Sequence, residues 1–270
     1  MLIMKRIKNL IKHILFWILS NKKGYSDLRV LNGPAKGTLL RLDLRKEGSY
    51  FLGNYDKWIF DRIDFAKYVR PGMIIWDCGA YVGYYTAVFR KIIKNHGEIY
   101  AFEASTKAYS NLKEIPGLNN WDNVYILHTA VGPENTTINF SNNLGGSNGP
   151  VGLEKIHNDQ IDIINVECHG VDEIVKIGMA KEPDFIKFDL ETAEIYALNN
   201  GDNLFRNKRP IILLEIHGEK AFKVAGDFLI RYNYRAAYVG DFPNPKSWHN
   251  NYQELQTLNF IPHMIMCIPK

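Results

Sequence analysis

The chain has 270 residues, 46% hydrophobic and 23% charged, a globular composition that excludes a largely disordered protein. A formal net charge of +4 is too small to argue for nucleic acid, and no such partner is expected. The widely spaced Cys78, Cys168 and Cys267 form neither a disulfide framework nor a zinc pair, and read as reduced thiols in a cytoplasmic protein.

Residues 1–23 carry six basic side chains and no acid, which leaves 27 basic against 29 acidic residues in the rest. Apolar residues from Ile3 to Ile18 recur at helical spacing, so this segment reads as a basic amphipathic helix. Its apolar run, residues 14–19, is too short to span a bilayer. The helix either packs on the body or on a partner subunit of a homo-oligomer, or makes peripheral membrane contact through residues 1–20. Residues 24–70 read as a cap, a strand pair followed by a helix over residues 57–69. Beyond Pro71-Gly72, strands (73–76, 98–102, 124–129, 184–189, 211–217) alternate with helices (83–93, 106–115, 193–199, 219–232). Residues 138–140 and 161–166 read as an inserted strand pair, and 235–239 and 263–268 as the last strands. The glycine-rich stretch 141–152 reads as a plain surface connection, or else a mobile loop over a site; it is not a phosphate-cradling loop, since no Gly-Lys-Ser/Thr follows it. Short apolar strands between helices imply an α/β fold with a mostly parallel sheet covered on both faces. In such sheets a ligand sits outside the carboxyl ends of the strands.

Polar residues at those ends are therefore the candidates. The first strand ends in Asp77-Cys78-Gly79-Ala80-Tyr81-Val82-Gly83, where glycines let the backbone approach a ligand closely. Asp77 places a carboxylate where a dinucleotide would put its pyrophosphate, which suits a cationic or amine-bearing ligand. Glu103, at the end of the second strand, is placed to accept both hydroxyls of a ribose. Together they describe a nucleoside with a positive or zwitterionic tail, and S-adenosyl-L-methionine is that molecule. Gly79, Ala80, Tyr81, Gly83, Ala104 and Ala130 complete the cofactor-binding set, with Asp189 at the methionine end. Lys187 lies within an apolar strand, and burying it costs several kcal/mol unless it pairs with a carboxylate or touches substrate.

These segments resemble the FkbM-type family of S-adenosylmethionine-dependent methyltransferases. The D-x-G-A-x-x-G turn matches Asp77 to Gly83, and the F-E-P-type motif matches Phe102-Glu103, with Ala104 in place of proline. The K-x-D-x-E-G-A-E motif matches Lys187, Asp189, Glu191, Ala193 and Glu194, with Thr192 in place of glycine. Glu215-Ile216-His217 and Gly53-Asn54-Tyr55-Asp56 match further segments, and the likeness spans about residues 50–220 in order. The resemblance implies a Rossmann-like class I methyltransferase fold over residues 71–270, with seven strands, the last antiparallel. It also implies methyl transfer to oxygen, often a sugar hydroxyl in a glycan or a glycosylated metabolite.

A neutral hydroxyl is a weak nucleophile, so a base is expected. His217 is the first candidate, because an imidazole at that strand end faces the cleft and titrates near neutral pH. Glu215 or Asp189 would orient it, and Lys187 completes the catalytic set. Asp189, Glu191, Glu215 and His217 offer oxygen and imidazole ligands, but without geometry no metal is assigned. Tyr81, Tyr84, Tyr85 and Trp248-His249 are candidate aromatic contacts for the acceptor. Two other functions stay open: a nicotinamide-dependent oxidoreductase or epimerase, disfavoured by the missing G-x-G-x-x-G, and a catalytically inactive methyltransferase-like interaction protein.

Overall fold

A computed structural model of the chain describes residues 24–133, 135–142, 162–245 and 247–270. The expected helix of residues 1–23, and most of the glycine-rich stretch, lie outside the described residues.

The cap begins with an antiparallel pair, β1 (Ser26–Arg29) and β2 (Leu39–Leu42), as expected. It continues as α1 (Leu44–Leu52), N-capped by the Asp43 side chain and ended by Gly53 at φ 72°. The single helix expected over 57–69 is not formed. Lys57–Phe60 makes one short turn, α2, and Phe65–Lys67 a 3-10 turn. The Asp64 side chain accepts the Ala66 N–H, so the acid starts a new turn instead of continuing the old one. The apolar residues of this stretch that suggested one helix still pack inward, Ile59, Ile63 and Phe65 being buried.

The body follows the alternating pattern. In chain order come β3 (Ile74–Cys78), α3 (Tyr84–Ile93), β4 (Glu98–Phe102), α4 (Thr106–Leu112), α5 (Ile115–Asn119) and β5 (Val124–Leu127). Pro116, near the start of α5, explains why 106–115 is not one helix: its ring and missing N–H do not fit a helix interior. Next come β6 (Ala130–Val131), β7 (Thr136–Ser141) and β8 (Ile163–His169), then α6 (Val171–Lys176) and β9 (Phe185–Phe188). The chain closes with α7 (Glu194–Asn199), α8 (Asp202–Asn207), β10 (Ile211–Glu215), α9 (Gly218–Arg231), β11 (Tyr234–Tyr238), α10 (Tyr252–Gln256) and β12 (Met264–Pro269).

Seven strands form one sheet in the order β11-β12-β10-β9-β3-β4-β5. Neighbours from β10 to β5 are parallel, and β12 is antiparallel to both β10 and β11. The inserted strands form a second sheet, β6-β8-β7, beside the end of β5.

Alternation along the strands builds a core on each face. Trp76, Phe102, Ile186, Phe188 and Leu214 pack under α9 residues such as Phe222 and Phe228. Ile75, Phe185, Leu213 and Met266 pack with Phe89 of α3 on the other face. The register pairs Asp77 with Lys187 across β3 and β9, so these two charges share that second face inside the protein.

Candidate active site

Three strand ends converge at the carboxyl edge of the sheet. After β3 the chain turns at Gly79, whose φ is 81° and where a Cβ would lie 1.9 Å from the Asp189 carbonyl oxygen. Only glycine lets the β3 and β9 ends approach this closely. The Gly79 and Ala80 N–H groups donate to the Phe102 carbonyl at 3.0 and 3.1 Å, which ties the turn to β4.

Glu103 follows at once and is 7% exposed. Its Oε2 accepts the Tyr81 N–H and its Oε1 the Ser105 N–H, each at 2.8 Å. Burial pushes its pKa up to about 7, against those two bonds, with help from the Asp189 and Asp77 charges. A pocket opens over this carboxylate. Its lining combines apolar Phe102, Ala104, Ala130, Val131 and Phe140 with Gly79, Tyr81 and Asp189. Apolar surface beside buried acids fits adenosine with a charged tail.

The cap contributes to the lining. Gly53 turns the chain so that Tyr50 and Tyr55 stack, ring centroids 4.1 Å apart, and both line the pocket. The Tyr81 hydroxyl donates to Oε1 of Glu47 at 2.7 Å, and Oε2 of that buried acid accepts the Asp43 N–H. Tyr81 is thus held by its amide to Glu103 and by its hydroxyl to the cap.

Beside the pocket lies a dense set of charges. Lys187, 2% exposed, is 3.0 Å from Asp189 Oδ2 and 4.0 Å from Asp77 Oδ1, with the Tyr85 ring under its ammonium. Burial pulls its pKa down, but Asp189, Asp77 and Glu215 together hold it up, so it stays charged. Burial raises Asp77 despite Lys187 and the Thr86 hydroxyl. Lys187 keeps Asp189 low and ionised against its own burial. Glu215 is pushed up to about 8 by burial and by Asp189.

His217 caps the start of α9. Its Nδ1 lies 3.1 Å from Glu194 Oε1, and its backbone N–H donates to the same oxygen at 3.0 Å. Its Nε2 faces Glu215 Oε1 at 3.5 Å and Glu191 Oε2 at 3.7 Å. Burial lowers its pKa, yet the Glu194 bond and the three carboxylate charges carry it to about 9.

Of the cofactor candidates, Gly79, Tyr81, Glu103, Ala104, Ala130 and Asp189 line the pocket. Asp77, Ala80 and Gly83 do not. Asp77 is wholly buried against Lys187 and Thr86, Ala80 packs with the cap, and Gly83 precedes α3. Among the catalytic candidates only Asp189 lines the pocket, and Lys187, Glu215 and His217 stand outside that lining. Of the aromatic candidates only Tyr81 lines it. Tyr84 and Tyr85 are buried, and Trp248 packs on Phe242. Sequence reasoning missed Tyr50, Thr129, Val131 and Phe140; Tyr55 stood in a matched segment without a role.

A seven-stranded sheet with an antiparallel strand between two others, and a nucleoside pocket at the ends of β3, β4 and β9, define a class I methyltransferase. The sequence model of the Methyltransferase FkbM domain matches residues 77–239, so the chain belongs to the FkbM methyltransferase family. Its cofactor is S-adenosyl-L-methionine, and the nicotinamide alternative is set aside. The chain is similar to an FkbM methyltransferase from Methylobacillus flagellatus at 12% identity and TM-score 0.49, covering 97% of this chain and 60% of that one. A precorrin-6y C5,15-methyltransferase from Geobacter metallireducens is 11% identical over 76% of this chain and 85% of that one, with TM-score 0.44. Aeropyrum pernix fibrillarin, solved with natively bound S-adenosyl-L-methionine, is 11% identical over 74% of this chain and 68% of that one, with TM-score 0.41. No curated protein matches the chain. Among the described residues no helix is long and apolar enough to cross a membrane.

Proposed function

We propose that the protein methylates a hydroxyl, that of a sugar in a glycan or a glycosylated metabolite. The observation that carries this reading is the stacked Tyr50–Tyr55 pair, which lines the pocket together with Asp189. Stacked aromatic rings match the C–H face of a sugar, and neighbouring carboxylates accept its hydroxyls.

S-adenosyl-L-methionine, when bound, supplies a methyl whose S–C bond breaks as the O–C bond forms, the sulfur keeping the electron pair. The chain's own residues align the partners and take the proton, and alignment supplies much of the acceleration. Glu103 holds the ribose. Tyr50 and Tyr55 orient the sugar. Asp189, the catalytic candidate that lines the pocket, receives the hydroxyl proton, while Lys187 holds its other side in place.

The test is methylation of a panel of free and lipid-linked sugars, with the product read by mass spectrometry and NMR. Tyr50→Ala and Tyr55→Ala should raise the acceptor KM and leave S-adenosylhomocysteine affinity unchanged. Products methylated only on carbon, nitrogen or carboxylate would overturn the reading. A cytoplasmic location with residues 1–20 on a membrane surface belongs to the same proposal, and unchanged liposome binding after their deletion would remove that part.

A further inference from the structure

We propose that Asp189, Glu215 and His217 form a site for one divalent first-row cation of the manganese type, beside the cofactor pocket that Asp189 lines. One ligand atom from each residue can be chosen so that all lie within 4.8 Å of one another. Donors bound at about 2.0–2.2 Å to one ion are separated by about 3–4.4 Å, so a small inward movement completes the set.

The spacing around His217 argues the same way. Its Nε2 stands 3.5 Å from Glu215 Oε1 and 3.7 Å from Glu191 Oε2. A charged hydrogen bond would close to about 2.7–2.9 Å. The 3.5 Å gap to Glu215 matches the edge of a coordination polyhedron, and the same Glu215 oxygen lies 3.1 Å from His263 Nε2 on its other side. A second observation lies outside the donor set. Glu194 is 0% exposed, and one of its oxygens takes both the backbone N–H and Nδ1 of His217. A carboxylate on the far nitrogen fixes the ring and leaves Nε2 directed at the ion, as in metal-bound imidazoles generally.

Charge supports the assignment. The carboxyl groups of Asp77, Asp189, Glu191 and Glu215 gather here, with Lys187 on Oδ2 of Asp189 and His263 Nε2 3.1 Å from Oε1 of Glu215, and a bound cation would hold Asp189 and Glu215 ionised side by side. Two carboxylates with one imidazole suit manganese or iron(II) better than magnesium or calcium, which favour all-oxygen sets. A three-residue set leaves positions for water and for an acceptor oxygen, whose proton the ion would make more acidic. That last role rests on the hydroxyl reading; binding of the ion does not.

The experiment is titration of Mn2+ into the full chain, with and without S-adenosylhomocysteine, followed by the loss of the free-ion electron paramagnetic resonance signal. One Mn2+ per chain is expected. Asp189→Asn and Glu215→Gln should each lose it, and Glu194→Gln should weaken it by about 10–100-fold. Should His217→Ala fail to fold, His217→Gln replaces it, and a folded variant must show the same loss. A free Mn2+ signal that persists to millimolar protein, or binding retained by folded Asp189→Asn and Glu215→Gln, overturns the proposal. Specific Mn2+ binding by a protein that methylates no hydroxyl would uphold the site and unseat the sugar reading, so the two failures are distinct.

Discussion

Replacing Glu103 by Gln tests the cofactor site through its proton. In the apo protein this carboxyl has a pKa of about 7, against 4.5 for a free glutamate. The folded state therefore binds its proton more tightly than the unfolded state does. Stability from this group is complete below pH 4.5 and is lost as pH rises through 7. The loss is about 3 kcal/mol, at about 1.4 kcal/mol per unit. Glutamine abolishes that slope but has a cost of its own. Both carboxylate oxygens accept backbone N–H groups, and an amide offers only one oxygen. One buried N–H is left facing an NH2, at about 1–3 kcal/mol. Urea melts of the apo protein should show Glu103→Gln less stable at pH 5 and closing the gap, or passing the wild type, by pH 8. Cofactor binding should run the other way. The ribose hydroxyls need the ionised form, which grows from about one-tenth at pH 6 to nine-tenths at pH 8. Calorimetric affinity for S-adenosylhomocysteine should then tighten about tenfold in the wild type and stay flat in the variant. Parallel pH profiles for the two proteins would refute the reasoning.

Other residues give sharper single outcomes. Thr192, β-branched and at φ 82°, is held in a left-handed conformation that costs about 1–2 kcal/mol. Thr192→Gly should stabilise by about 1 kcal/mol after the entropy of glycine is counted, and a lower denaturation midpoint would contradict this. Lys187→Met leaves Asp77 and Asp189 without their cation, and should lose about 3–5 kcal/mol at pH 8 and less at pH 5, as denaturant melts would show. Gly79→Ala drives a methyl into the Asp189 carbonyl at 1.9 Å; S-adenosylhomocysteine binding should vanish, and wild-type affinity by calorimetry would defeat the argument.

The sheet was legible because its strands are short apolar runs with an acid or glycine at the end, so period and punctuation coincide. Glu103 and Gly79 could be found for that reason, since their roles follow from position at a strand end. Asp77 could not be placed so easily. The same local pattern hides that its neighbour across the register is Lys187, which draws it inward, away from the ligand. The behaviour of His217 depends on Glu194, 23 residues earlier and brought over by α7, a contact with no local trace. Tyr50 and Tyr55 belong to the cap, and only the turn at Gly53 stacks them. The broken helix after residue 57 shows the limit of periodicity: Ile59 and Ile63, and then Phe65 and Val69, bury four apart, while the backbone between the two pairs breaks and starts a new turn.

The placement of β12 has a consequence for how this chain is made. Strands β10 and β11 are consecutive in the sheet's order of synthesis, yet neither pairs with the other; β12 fills the gap between them. Until it arrives, Ile212, Leu213 and Leu214 present an unpaired apolar edge, as does Ala237. Open edges of that kind recruit other chains. Slow insertion of β12 should therefore cost soluble yield before it costs stability. A charged residue at Met264 or Met266, both wholly buried, would reveal itself first as inclusion bodies, and a chaperone that shields strand edges would rescue expression without raising the melting temperature.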